Sequence, residues 1–456
     1  MRGNGLTRLL KVIAPGFIAS VSEVDACAII YLVFVGYSFK YEFLWVLAFS
    51  TLLYVFILQL TSEVTLVTGK GIARCIRERY GRRFITLTIF TTISSNMALL
   101  SIELLGAGLS LTVLTGLPLR VTVLIAMLIL LGLVVSGAMD EVDNVLMGLG
   151  LTLLAYVLVA VCSKPPIEQV ATGILKPRIE ISWNYLSVVI AIMGTLISPY
   201  GIFYQSSNLA GKKLPITTLT LSFDGILLGA LVNFLVCTAI VMTGAAINTL
   251  EVVEGVLIVF RSMVGEGASL VFALGLFSGS ILTGTVILYS TLALISEVYE
   301  AKLLTHSPYR RLEALMIIVL SVIAGGIPAL VDLNYVRIAF IAGLLSTAFT
   351  VFPLIGLARL YSDDGVMGEF KASTIMKVCT WTIISFFILL NLALLTLSVP
   401  YTPLLGHVTI PIEGLLSFVV VAVVAYIAGR RDVVGRLVKA KRKHLKHNFN
   451  SGFAGV

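Results

Sequence analysis

The sequence predicts an all-α polytopic membrane protein of about 12 transmembrane helices, and three observations lead there. Of 456 residues, 58% are hydrophobic and only 12% charged, too little polar surface for a soluble chain of that length. Apolar runs of the ~20 residues needed to cross a ~30 Å hydrocarbon core recur from end to end. Lys and Arg collect in the short connections and the tail, as they do in membrane proteins. The net charge of +8 therefore does not point to nucleic acid.

In order, the spans fall near 9–37, 42–68, 84–114, 118–138, 142–162, 184–210, 217–246, 266–297, 312–331, 334–361, 374–399 and 411–429. Residues 1–429 read as one transmembrane domain, followed by a basic tail over 430–456. The loop after span two, "GKGIARCIRERYGRR", carries Lys70, Arg74, Arg77, Arg79, Arg82 and Arg83; the loops after spans six and eight are basic too. The positive-inside rule puts these in the cytoplasm together with the N-terminus and its Arg2, Arg8 and Lys11. The expectation is a multi-pass plasma-membrane protein with both ends cytoplasmic. One loop runs against the trend: "AMDEVDN" after span four is acidic, although acidic residues weigh little in the rule. The first run is too long and too acidic for a cleavable signal peptide. The tail is expected to be a positive-inside anchor, with contact to anionic lipid as the alternative.

Spans one and six carry internal breaks. Span one places Glu23 and Asp25 within "SVSEVDACAIIY". An ionisable group at membrane depth is costly and functional by default, which makes Asp25 the first candidate for holding a cation. Positions i and i+2 face apart on a helix, so Glu23 reaches the same ion only if the backbone is unwound there. Span six contains "IMGTLISPYGIFYQ". Pro199 withholds a backbone donor and crowds the preceding turn, and Gly194 and Gly201 lower the cost of unwinding. Thr195 and Ser198 either ligate an ion or bond back to helix carbonyls. Breaks at matching places in two halves mark inverted-repeat transporters. Spans one to five (about 9–162) and six to ten (about 184–361) are then the halves, with two extra helices over 374–429.

The same residues carry a family resemblance. "APGFIASVSEVDACAI" is similar to the first-helix signature of the NRAMP divalent-metal transporters, where Pro-Gly-Phe precedes Asp-Pro-Gly-Asn. "LTSEVTLVTGKGIARC" resembles the family's second span and Thr-Gly-Lys loop, "IELLGAGLSL" its third span, "GVMGEF" a turn after its tenth and "ILLNLALL" its eleventh. The resemblance implies a LeuT-like 5+5 inverted repeat with discontinuous spans one and six and a metal site where they meet. It sets Asp25 at the family's metal-binding aspartate, Ala28 at a liganding asparagine, and Ala26 and Cys27 at the intervening Pro-Gly. Thr195 stands at an alanine whose carbonyl can ligate, Ser198 at a methionine and Tyr200 at a histidine. Glu103 matches a third-span glutamate, Leu100 replaces an aspartate linked to proton movement, and Phe340 replaces a tenth-span glutamine. Without the methionine thioether, the remaining donors are carboxylate, hydroxyl, carbonyl and water. That set suits Mg²⁺, Ca²⁺ or Mn²⁺ better than softer ions. "GTLISPYGIFYQ" is most similar to the NRAMP-related magnesium-transporter branch.

The function expected is secondary transport of a Mn²⁺- or Mg²⁺-like cation by alternating access. Asp25 would hold the ion, with Thr195, Ser198 and Glu23 as further candidates and Glu103 and Tyr200 in a coupling or polar network. Leu100 predicts weak or absent proton coupling. The alternative is a cation- or proton-coupled transporter of a small organic solute such as an amino acid, bound by a half-helix N-terminus and Tyr200. The divalent ion is substrate, no resident cofactor is expected, and the bilayer is the other partner. "GLGL" and "GEGAS" lack the P-loop lysine, so nothing suggests ATP. The spans hold no HExxH, GxSxG or paired-Asp motif, which argues against an enzyme. His306, His407, His444 and His447 fall outside the apolar cores, and the five cysteines form neither a disulfide framework nor a CxxC site. Cys27 in apolar surroundings is expected to pack. Asn233 and Asn391 should hydrogen-bond between helices, Glu63 should pair with loop arginines, and Trp45, Trp183 and Trp381 should anchor span ends.

Overall fold

The computed structural model describes residues 5–136, 139–177, 179–180, 182–247, 266–299 and 335–396, and they are almost wholly helical. Span one is two helices, α1 (Gly5–Val21) and α2 (Ala26–Phe39), bent by 46°. α3 (Leu44–Thr68) ends on Gly69, whose φ of 63° lets its N–H reach the Thr65 carbonyl at 2.8 Å, the left-handed stop that glycine supplies cheaply. The basic loop that follows is itself folded. Its helix α4 (Ile72–Tyr80) buries Ile72, Ala73, Cys75, Ile76 and Tyr80, and Arg79 clamps Asp363 through Nε and Nη2 at 2.6 and 2.9 Å.

α5 (Arg82–Thr115), α6 (Leu119–Ser136), α7 (Met139–Thr152) and α8 (Ala155–Cys162) complete the first half. A short helix, α9 (Ile167–Leu175), lies in the connection to span six, which is α10 (Trp183–Leu196) and α11 (Pro199–Gly211). Then come α12 (Leu219–Ala245), α13 (Glu266–Tyr299), α14 (Tyr335–Ser362), the single turn α15 (Asp364–Met367) and α16 (Thr374–Thr396). Eight stretches among the described residues are long and apolar enough to cross a bilayer, and the bent α1–α2 pair makes nine; Leu119–Val134 is a shorter apolar helix. These correspond to ten of the expected spans. The remaining two, near 312–331 and 411–429, and the tail over 430–456 lie outside the described residues.

Span five departs from expectation. Its winding changes at Leu153–Leu154, where the N–H groups of Leu154, Tyr156 and Val157 donate to carbonyls three residues back at 3.0–3.2 Å. No proline or charge marks the place. Just beyond it, the Tyr156 hydroxyl donates to the Phe272 carbonyl of α13 at 3.0 Å.

Span one packs on span seven through α1 and α12, and span six packs on span two through α10, α11 and α3. A two-fold relation between five-span halves produces just this exchange of partners. Small residues set the closeness of the α1–α12 seam. A Cβ added at Gly225 would run into the Ile13 carbonyl, and one at Gly229 would lie 2.8 Å from Ser20 Cβ and 2.9 Å from Phe17 Cα. Membrane helices pack tightly where such residues let backbones approach.

Gly225→Ala is therefore expected to cost the ~1–3 kcal/mol of an overpacked core, read as a lower melting temperature in detergent. Gly132→Ala, where an added Cβ meets nothing within 4 Å, is expected to leave that temperature unchanged.

Candidate metal site

Span one unwinds over Ser22–Asp25, and the bilayer offers no water to the carbonyls this frees. Side chains from four helices supply the donors. Asn233 Nδ2 of α12 donates to the Ser20 carbonyl at 2.9 Å. The Ser22 carbonyl accepts from Tyr200 of α11 at 3.0 Å and from Thr283 of α13 at 2.6 Å. Tyr54 of α3 donates to Ala19 at 3.4 Å. Asn233 thus acts as the interhelical bonder expected of it, and Tyr200 works on backbone. Tyr54 and Thr283 were not singled out from sequence; a lone hydroxyl in an apolar span leaves no periodic trace.

Three carboxylates converge on the start of α2, and each is fully buried: Glu23, Asp25 and Glu103. Asp25 is the N-cap of α2, its Oδ1 accepting from the Ala28 N–H at 2.5 Å. Glu103 of α5 accepts from the Ala26 N–H through Oε2 at 3.1 Å. Both place negative charge at the positive end of a helix. Each thereby commits one oxygen to α2, while Asp25 Oδ2 and Glu103 Oε1 have no hydrogen-bond partner. Glu23 commits neither. Tyr54, Ser198 and Tyr200 gather round its carboxylate, yet neither oxygen closes a hydrogen bond of good geometry. No Lys, Arg or His pairs with any of the three among the described residues.

The second break brings span six to the same place. Ile197 leaves the helical conformation with φ −137° and Ser198 is extended with φ −109°. Pro199 opens α11 at its first position, where a missing N–H costs nothing. The proline therefore starts a new helix and does not merely kink an old one. The Ser198 hydroxyl is buried and unpartnered, and a Cβ built on Gly201 would lie 3.3 Å from Glu23 Oε1. Glu23, Asp25, Ser198, Tyr200 and Glu103 are thus neighbours around two unwound segments. Thr195 is placed differently. Its hydroxyl donates back to the Ile192 carbonyl at 2.9 Å, and its methyl group faces Gly343 of α14.

Other expected residues find local partners. The Cys27 thiol donates to the Ala339 carbonyl at 3.2 Å, which ties α2 to α14. Asn391 donates to the Thr347 and Phe387 carbonyls at 3.4 and 2.7 Å. Glu63 departs from expectation: it accepts from Gln59, one turn away on α3, at 3.0 Å, because the α4 arginines turn to Glu78, Asp363 and the Val298 carbonyl instead. Leu100 is buried in α5, and Phe340 packs its ring 5.7 Å from Tyr31. Among the described residues, no three His, Cys, Asp or Glu side chains form a metal cage. An ion here would need hydroxyls, carbonyls or water beside its carboxylates.

Residues 16–397 match the family described as Nramp, natural resistance-associated macrophage protein-like. A similar protein is the natural resistance-associated macrophage protein 2 homolog of Dictyostelium discoideum. It is 28% identical over 387 residues, which cover 78% of this chain and 59% of that protein. The divalent metal cation transporter MntH of Xanthomonas campestris pv. campestris is 25% identical over 86% of this chain and 92% of its own length. The manganese transporter of Eremococcus coleocola, in a crystal structure with a bis-isothiourea compound, superposes with a TM-score of 0.78 at 18% identity. That superposition covers 95% of this chain and 97% of the other, so the two share a fold, the LeuT-like one the resemblance implied. The family match takes in both breaks and every carboxylate between them, and the chain belongs to the Nramp family.

Proposed function

We propose that this chain is a secondary transporter carrying a divalent cation, Mn²⁺ or Mg²⁺, across the plasma membrane into the cytoplasm by alternating access. One observation carries the reading: three fully buried carboxylates stand at a break in span one with no basic partner among the described residues. Carboxylates at membrane depth are costly unless a cation or proton joins them. Four of their six oxygens have no hydrogen-bond partner, so they are available to one. Asp25 Oδ2 is the primary ligand. Glu23 and the Ser198 hydroxyl complete the acidic side, aided by carbonyls of the unwound segments and retained water. Thr195 contributes at most its carbonyl oxygen, since its hydroxyl is engaged with its own helix.

The donors are all oxygen, which suits hard cations. Names among the relatives point the same way, since MntH is called a divalent metal cation transporter. An amino-acid substrate fits less well. The N-terminus of α11, which would receive its carboxylate, already faces Glu23, and Tyr200 is engaged with the Ser22 carbonyl.

An inside-negative potential of 100 mV supplies ~2.3 kcal/mol per charge, about twice that for a divalent ion. Import then needs no proton, in keeping with Leu100. Both chain ends lie in the cytoplasm in this reading, on the side of α4.

In proteoliposomes, Asp25→Asn keeps an N-cap acceptor for α2 but loses the charge. Removing a buried charge–charge contact of ~2 kcal/mol or more should lower Mn²⁺ uptake at subsaturating concentration by roughly thirtyfold. Uptake equal to the unaltered chain would remove the metal reading. A pH-sensitive dye in the lumen is expected to stay flat during Mn²⁺ uptake; acidification in step with the metal would overturn uncoupled transport.

Glu103 acts by positioning α2. Glu103→Gln leaves an oxygen for the Ala26 N–H, so uptake stays within about threefold, whereas Glu103→Leu strands that donor at ~1–3 kcal/mol and lowers uptake about tenfold or more.

A further inference from the structure

A fourth buried carboxylate lies toward the far end of α11, and it is paired. Asp143 of α7, 3% exposed, accepts from Lys212 Nζ on Oδ2 at 2.7 Å and from the Tyr204 hydroxyl on Oδ1 at 2.6 Å. Asn208 Nδ2 reaches both of its oxygens, at 3.0 and 3.1 Å. Lys212 Nζ also donates to the Lys11 carbonyl of α1 at 3.2 Å. The lysine side chain is only 10% exposed. Its ammonium therefore sits between oxygens from two helices, α1 and α7. Asn208 Oδ1, on the same amide that touches Asp143, is fully buried and has no partner.

The place connects to the upper site by polar groups without charge. Tyr204, Asn208 and Lys212 recur every four residues, so they share one stripe of α11. Gly201, against which Glu23 rests, lies one turn above Tyr204. Beside that stripe Gln205 donates to Ser62 at 2.7 Å, Ser62 meets Ser222 at 3.2 Å, and Gln205 Oε1 is unpartnered. Lys212 is the first basic residue along the chain after Ser198.

We propose that Asp143, Asn208 and the Lys11 carbonyl form a second divalent-cation site on the cytoplasmic side, and that the Lys212 ammonium occupies it as a tethered substitute. One carboxylate, an amide oxygen and a backbone carbonyl are hard donors of the kind that hold Mn²⁺, Mg²⁺ or Ca²⁺ with water completing the shell. Half a turn of the Asn208 amide turns its oxygen toward the ion. An ion leaving the upper site displaces the ammonium, passes over Asp143, and is displaced in turn when the lysine returns. Because the competitor is covalently attached, it is always present, and the ion does not lodge there. The inference rests on the proposed transport function for the source of the ion, but the site itself can be tested separately.

The test counts Mn²⁺ bound to the purified full chain, by loss of the free-ion paramagnetic resonance signal, with Asp25→Asn present throughout to disable the upper site. With Lys212 in place no ion is expected. Lys212→Met leaves Asp143 buried and unpaired, a state that demands a counter-charge, and one Mn²⁺ per chain is expected. Adding Asp143→Asn returns the count to zero. Lys212→Gln, which keeps an amide donor for Asp143, is made in parallel in case the methionine variant does not fold, and is also expected to gain an ion. A monodisperse Lys212→Met or Lys212→Gln chain that gains none overturns the second site. Failure of the upper site shows separately, as an equal count with and without Asp25→Asn when Lys212 is unchanged.

Discussion

A carbonyl in hydrocarbon has no water to turn to, so each one released by a broken helix must find its donor within the protein. The carbonyls of Ala19, Ser20 and Ser22 find theirs on α3, α12, α11 and α13. Four spans from both halves are thereby bound to a single break. This fixes the break more firmly than the local sequence does, since Ser22, Glu23 and Val24 would not by themselves stop a helix. It also explains why α1 lies in backbone contact with α12: Asn233 can reach the Ser20 carbonyl only because Gly225 and Gly229 admit α1 closely. Packing and polar satisfaction are one problem here, solved together.

The carboxylates follow the same accounting. Asp25 and Glu103 each give one oxygen to the first turn of α2 and so look like caps. A cap alone would be served by serine or asparagine, neutral residues that cost less to bury. For Asp25 the charge needs another reason, and its unpartnered second oxygen supplies it. The two ends of α11 make the contrast plain. At Ser198 buried acid faces hydroxyls, and at Lys212 buried acid faces an ammonium. Only the second is electrostatically complete as it stands.

Asp25, Glu23 and the Ser198–Pro199 break were legible because charge and proline are loud in an apolar background. Their partners were not. Tyr54 and Thr283 are single hydroxyls in spans where nothing distinguishes a site-facing residue from one bonded to its own helix, as Thr195 is. The change of winding at Leu153–Leu154 has no sequence mark, since regular apolar residues can adopt either turn. Helix α4 was hidden for the opposite reason, being a short segment read only for its charge. The acidic loop that ran against the positive-inside trend finds a physical account in Asp143, whose charge is met by Lys212 from the next basic loop.

The missing counter-charge also bears on how the membrane potential acts under the proposed function. With the Glu103 charge held on α5 against the N-terminus of α2 in both states, a divalent ion between Asp25 and Glu23 brings that pair near neutrality, and a neutral pair feels little of the field as the bundle rocks. The empty site carries the acids alone. If no proton joins them, the returning carrier moves about two negative charges outward, the direction an inside-negative potential favours by ~2.3 kcal/mol per charge per 100 mV. The work of import is then done on the return of the empty protein and not on the ion itself. Glu23 is central to that division, because with Asp25 alone the loaded site would retain positive charge and the field would act on both limbs. A second acid two residues from the first, useless on a regular helix, becomes the group that sets which step voltage drives.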